Sequence, residues 1–176
     1  MSTFKKCDKA VREMANEILC EFETHRPLLD AKVTIDLLFA YADRNEAGER
    51  AADALSKGGV RALGIAKIIT LKDRVAGRGD AEITLDGDWW ADAKEQQRRA
   101  LLDHELHHLA VSIKEGCSVY DDAGRPKLKM RKHDYEFGWF TIIAARHGKF
   151  SIEVEQSTRI MHEQGEFYFP KALQPA

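Results

Sequence analysis

The stretch His104-Glu105-Leu106-His107-His108 has the form H-E-x-x-H. On an α-helix, positions i and i+4 share a face, one turn apart. Two imidazoles so placed can bind one metal ion, and a glutamate beside the first can handle a proton; this is the helix of a zinc hydrolase. Three fixed letters recur by accident, so the surroundings carry the argument. At about 100° per residue, Leu102, Leu106, Leu109 and Ile113 fall on one side of such a helix. Leu101, His104, Glu105, His108 and Val111 fall on another. Candidate ligands among apolar neighbours, not among charges, point to a central helix forming the floor of a cleft. The helix is expected to start near Asp92, with Asp92 and Glu95 spaced as a capping box, and to stop near Gly116, a natural C-cap. His107 projects about 100° away from His108, and Asp103 precedes it at i−4, so it reads as half of a helical Asp–His pair. Asp103 has a second reading, as the carboxylate that steadies a ligand histidine through its other ring nitrogen.

A catalytic zinc takes three protein ligands and keeps a position for water. The downstream candidates are His133, Glu136, His147 and His162. The longer pattern H-E-x-x-H-x-x-G-x-x-H does not fit, because Val111 stands at its glycine and Lys114 at its third histidine. His133 is preferred: it opens an expected helix directly after a hairpin that can turn the chain back over the first one. Glu136, one turn later, is the alternative ligand, or a negative charge complementing the helix dipole. His147 would lie roughly 20 Å further along that helix, where a C-terminal charge partner fits better. Cys117 is a weak alternative ligand; as a fourth ligand it would favour a closed, non-catalytic zinc domain.

Outward from the motif, an amphipathic helix is expected from about Asp8 to Glu23, with Val11, Met14, Ala15, Ile18 and Phe22 at helical spacing. Pro27 breaks that pattern. Val33 to Tyr41 reads as a buried strand, Ala62 to Leu71 as a second and Ala81 to Leu85 as a third, with Gly77 and Gly79 in a turn between the last two. Residues 43–58 read as a short helix or a loop. Ser118 to Met130 holds two extended pieces around the turn Asp121-Asp122-Ala123-Gly124-Arg125-Pro126. A helix follows from His133 to Gly148. Residues 151–164 fit helix or strand equally, and the last residues, with Pro170 and Pro175, read as a tail.

The bulk numbers exclude more than they assert. With 176 residues, 44% hydrophobic and 32% charged, the chain has the make-up of an ordinary globular domain. A net charge of −2 gives no electrostatic reason for nucleic acid as the main ligand, and the basic run Arg125 to Lys132 reads as a solvated face. No apolar run approaches the roughly 20 residues that cross a bilayer, and the N-terminus lacks a secretory apolar core, so a cytoplasmic protein without a membrane partner is expected. Cys7, Cys20 and Cys117 are odd in number and widely spaced, as expected of reduced thiols.

Three segments in this order, Leu101 to Leu109, Asp122-Ala123-Gly124-Arg125-Pro126-Lys127-Leu128-Lys129 and His133-Asp134-Tyr135-Glu136-Phe137, resemble the putative phage metallopeptidase family. The segment Ala81 to Trp90 resembles it too, and the likeness runs from about residue 30 to 150. His133-x-x-Glu136-Phe137 is also similar to the H-G-x-E-F element of SprT/Spartan-type proteases, whose histidine is the third zinc ligand; Asp134 replaces their glycine. The resemblance implies a zincin-like fold and a peptidase; an α+β single domain over residues 1–170 with a tail at 171–176 is expected. Its small twisted sheet, mostly antiparallel, would pack on the central motif helix and on a second helix bearing the third ligand. It implies Zn²⁺ on His104, His108 and His133, Glu105 as general base, and a protein or peptide substrate. That substrate would add as a strand to the sheet edge, expected to be Ala81–Leu85; Tyr120 and Tyr135 are candidate oxyanion donors, with packed tyrosines the preferred reading. Trp89 and Trp90 read as core and helix-packing residues. The alternative is a non-catalytic zinc-binding domain of the same fold that docks another protein.

Overall fold

The computed structural model describes residues 2–133 and 140–159. The chain forms two compact units, residues 1–132 and 133–176.

In the first unit the order is β1 (Thr3–Lys6), α1 (Lys9–Glu21), a 3-10 turn (Glu23–His25), α2 (Arg26–Asp30), β2 (Ile35–Tyr41), β3 (Ser56–Lys57), β4 (Val60–Arg61), β5 (Gly64–Ile68), α3 (Leu71–Val75), β6 (Ala81–Asp86), α4 (Gly87–Asp92), α5 (Glu95–His107), β7 (Leu109–Val111), β8 (Ile113–Lys114), β9 (Cys117–Ser118) and β10 (Leu128–Met130). Asp8 starts α1 by accepting a hydrogen bond from Val11 N (3.0 Å), and Val11, Ala15, Ile18 and Leu19 line its buried stripe. Pro27 does not end a helix but sits in the first turn of α2, where its missing N–H costs nothing. Residues 43–58 form bends and the hairpin β3–β4, not a helix.

The main sheet runs β1-β2-β6-β5. It is mixed: β1–β2 and β5–β6 are antiparallel, and β2–β6 is parallel. The fold is therefore α+β as expected, but the strand Ala81–Asp86 lies at the centre of the sheet and not at its edge. Every residue of the strand is buried there, including Glu82, Thr84 and Asp86. Each charge has partners. Glu82 takes Lys67 Nζ (2.6 Å) and Arg78, and Asp86 caps α4 through Asp88 N and Trp89 N while Arg61 Nη2 donates to it (3.1 Å). The edge next to β6 is β5. Trp89 and Trp90 lie in α4; Trp90 packs on Phe39 (5.8 Å between ring centroids) and under the Arg98 guanidinium.

The motif helix differs from expectation at both ends. Asp92 ends α4, so it cannot cap α5; α5 begins at Glu95, and Gln97 Oε1 accepts from Lys94 N instead. At the other end α5 stops at His107, with His108 as its C-cap, and does not run to Gly116. Beyond it Leu109, Val111 and Ile113 alternate with Ala110 and Ser112, and β-branched residues at a period of two favour a strand. Gly116, read as a helix cap, makes the β8–β9 turn with Glu115, both at positive φ (80° and 53°), as a two-residue hairpin loop requires. β7 then pairs antiparallel with β10.

The turn before β10 is tied down by a buried charge cluster. Asp121 Oδ1 accepts from Ala123 N and Arg125 N. Arg74 (8% exposed) reaches Asp80 (2% exposed) at 2.7 Å and Asp121 at 3.2 Å, and Arg125 Nε lies 3.1 Å from Asp80. Thr34 gives Asp80 Oδ2 its N–H and its hydroxyl, both at 2.8 Å. Burial pushes the Asp80 carboxyl up, but the Thr34 hydrogen bonds, Arg74 and the Arg125 charge outweigh it and hold the group below its usual range.

In the second unit the described elements are α6 (Thr141–His147), a 3-10 turn (Gly148–Phe150) and helical residues 152–159, which Ser151 caps by accepting from Val154 N (3.1 Å). His133 itself has no regular structure, and the expected helix over 133–148 is described only from Thr141. Glu136, Tyr135 and His162 lie outside the described residues. Among the described residues no helix is long and apolar enough to cross a membrane.

Candidate metal centre

The last turns of α5 carry the motif against the sheet. Leu101, beside the ligand positions, and Leu102 and Leu106 on the other stripe are all buried, and α5 packs on β5 and α1. Removing one of these leucines is expected to cost about 2–5 kcal/mol. Glu105 is 4% exposed and His108 7%. Their burial agrees with a ligand face set among apolar residues, although that face ends at His108 and does not extend to Val111 as helix.

Arg131 holds this helix end. Its N–H donates to His108 O (2.6 Å), its guanidinium Nη1 donates to His107 O (2.7 Å), and its own carbonyl accepts from His108 Nδ1 (2.9 Å). A carbonyl can only accept, so the Nδ1 of His108 carries the proton and its Nε2 presents the lone pair. Metal-binding histidines are oriented by this kind of contact. The guanidinium also places a positive charge at the negative end of the helix. Arg131, read from sequence as part of a solvated basic run, is thus part of the site's frame.

His104 and His108 face each other with ring centroids 5.0 Å apart. His104, His108 and His133 each offer one ligand atom, and these atoms all lie within 4.8 Å of one another. The group could hold a metal ion, and three imidazoles suit zinc or another first-row divalent ion. Cys117 is exposed in β9 and is not in the group. Cys7 is buried, and burial followed by the Asp8 charge pushes its thiol up to about 12, which makes it inert. His147 lies in the last turn of α6, as a C-terminal charge partner would.

Asp103 has a partner that the sequence does not suggest. Its Oδ1 lies 2.7 Å from Nε2 of His25, and both side chains are wholly buried. His25 in turn meets the His107 ring edge-to-face at 5.8 Å. Through Oδ1 the carboxylate ties α5 to the 3-10 turn after α1. Nothing in the local sequence around His25 marks it.

Tyr120 is exposed and bridges to Pro126. Gly64 in β5, which no sequence motif singles out, lies against the glutamate: a Cβ on it would meet Glu105 Oε1 at 2.6 Å.

A family model described as "Putative phage metallopeptidase" matches residues 3–162. The chain belongs to this family. The match covers β1 through the helical residues 152–159 and includes His104, Glu105, His108, His133 and Glu136. No curated protein and no solved structure matches the chain. For a member of a phage metallopeptidase family, a metal cofactor and protein or peptide substrates follow from the family's description.

Proposed function

We propose that this protein is a zinc-dependent peptidase of the HExxH type. His104, His108 and His133 would hold Zn²⁺, and Glu105 would act as general base. The observation that carries the reading is the convergence of three imidazole nitrogens within 4.8 Å, one residue away from a buried glutamate. Bound there, zinc supplies Lewis acidity, lowering the pKa of water and polarising a carbonyl. Glu105 takes the proton from the attacking water and returns it to the departing amine nitrogen. His108, fixed by Arg131 O, keeps its Nε2 available. A site with no reaction to run has no use for a base beside its ligands, which favours catalysis over the non-catalytic alternative.

The substrate strand is assigned to β5, which ends the main sheet beside β6 and packs on α5. Edge strands recognise extended peptides by main-chain pairing. We take residues 1–170 as one functional domain, since the family match crosses both units. The free cysteines suit a reducing cytoplasm. The test is metal analysis with a peptide-cleavage screen. Glu105→Gln keeps the metal and loses cleavage, whereas His104→Ala and His108→Ala lose the metal. If His133→Ala bound zinc as tightly as wild type, Glu136 would replace it as the third ligand.

A further inference from the structure

Gly64 stands in a strand position that ordinarily carries a side chain. Its neighbour Ile65 packs on the cluster of Ala40, Ala42, Ala54 and Leu55. Successive strand residues point to opposite faces, so Gly64 and Ala66 face the other way, and α5 packs on this strand. The backbone does not demand glycine, because the φ of Gly64 lies outside the left-handed region. Space does. A Cβ at this position would meet Glu105 Oε1 at 2.6 Å and Glu105 Cγ and Cδ at 2.7 Å. The glutamate side chain therefore lies across the bare main chain and fills the volume that an alanine methyl would occupy. β5 is held on its other side by the register Gly64↔Leu85 and by Asp86 N donating to Leu63 O (2.8 Å). When a methyl is added, the side chain gives way before the strand does.

We propose that Gly64 is a positioning residue for Glu105, a gap in the edge strand that seats the base's carboxylate in its working rotamer. Gly64 opens β5; glycine in a strand ordinarily weakens it, and here the weakening is offset by what the gap admits. The inference rests on the proposed role of Glu105, and two readouts keep the two apart. In the full-length, metal-loaded protein, Gly64→Ala is expected to lower kcat at least tenfold, with KM and bound metal unchanged. In a denaturation cycle it is expected to raise the unfolding constant about tenfold in the wild-type background. In Glu105→Ala, where the space is vacated, it leaves that constant unchanged or lowers it. If Gly64→Ala alone fails to fold, folding of Gly64→Ala/Glu105→Ala carries the same support. Equal stability changes in both backgrounds, or two variants that both fail to fold while Glu105→Ala folds, overturn the proposal. So does an unchanged kcat. A wild-type protein that cleaves nothing but shows the coupled stabilities removes the peptidase reading and leaves the seat for Glu105 standing.

Discussion

Two regions of this molecule bury charged or polar side chains, and they do it differently. Around Asp80, both carboxylate oxygens receive donors: Arg74 on Oδ1, Thr34 N and Oγ1 on Oδ2, with Arg125 alongside. Opposite charges meet and hydrogen bonds close the group, so it locks the turn at 121–125 to the start of β6. At the end of α5 the groups are of another kind. Three imidazoles aim nitrogens at one volume, and a buried glutamate lies on the bare main chain of β5. Such a set of nitrogens could hold a metal ion. Burial of polar groups alone does not mark a site of chemistry; the kind of donor that converges distinguishes the two regions.

That contrast can be broken by substitution. The largest effect is expected at the histidines: His104→Ala or His108→Ala abolishes stoichiometric metal binding, measured by elemental analysis, and leaves a folded protein by circular dichroism. In the closed cluster, Arg74→Ala leaves Asp80 short of its main partner and is expected to cost about 3–5 kcal/mol in a urea titration, with the metal content of the folded fraction unchanged. Acid acts on the same cluster. The Asp80 carboxyl is held below its ordinary value in the folded chain, so its contribution is present above the unfolded value of about 3.9 and fades as pH falls below it. Asp80→Asn removes that part of the acid dependence and lowers stability at neutral pH, which denaturation at a series of pH values reads directly. The smallest effect is expected at the helix end, where Arg131→Met loses the bond to His107 O and costs about 1–2 kcal/mol by thermal melt.

Much of this was legible from residues. The motif spacing, the capped α1, the β2 and β6 strands and the Asp121 turn all follow from local patterns that tertiary packing does not override. Helix ends were harder. Leu109-Ala110-Val111-Ser112-Ile113 satisfies an apolar stripe at 3.6 residues and an alternation at two, and pairing with β10 from nearly twenty residues downstream decides for the strand. The order of strands was hidden for a related reason: the buried charges of β6 make it resemble an edge until Lys67, Arg78 and Arg61 are seen to partner them. His25 and Arg131 act on α5 from 78 and 23 residues away, distances at which single-sequence patterns carry no signal. Gly64 did leave a trace, since a lone glycine inside Ala62-Leu63-Gly64-Ile65 marks a close approach of backbone, but not of what.

The central claim is that the end of α5 is a metal centre whose base is Glu105. Metal content and peptide cleavage, measured side by side on wild type and Glu105→Gln, test it most directly. One metal ion per chain in both proteins is expected, with cleavage in wild type and a loss of about 10²–10⁴-fold in the variant. A wild type that binds no metal, or a Glu105→Gln that cleaves as fast as wild type, would contradict it.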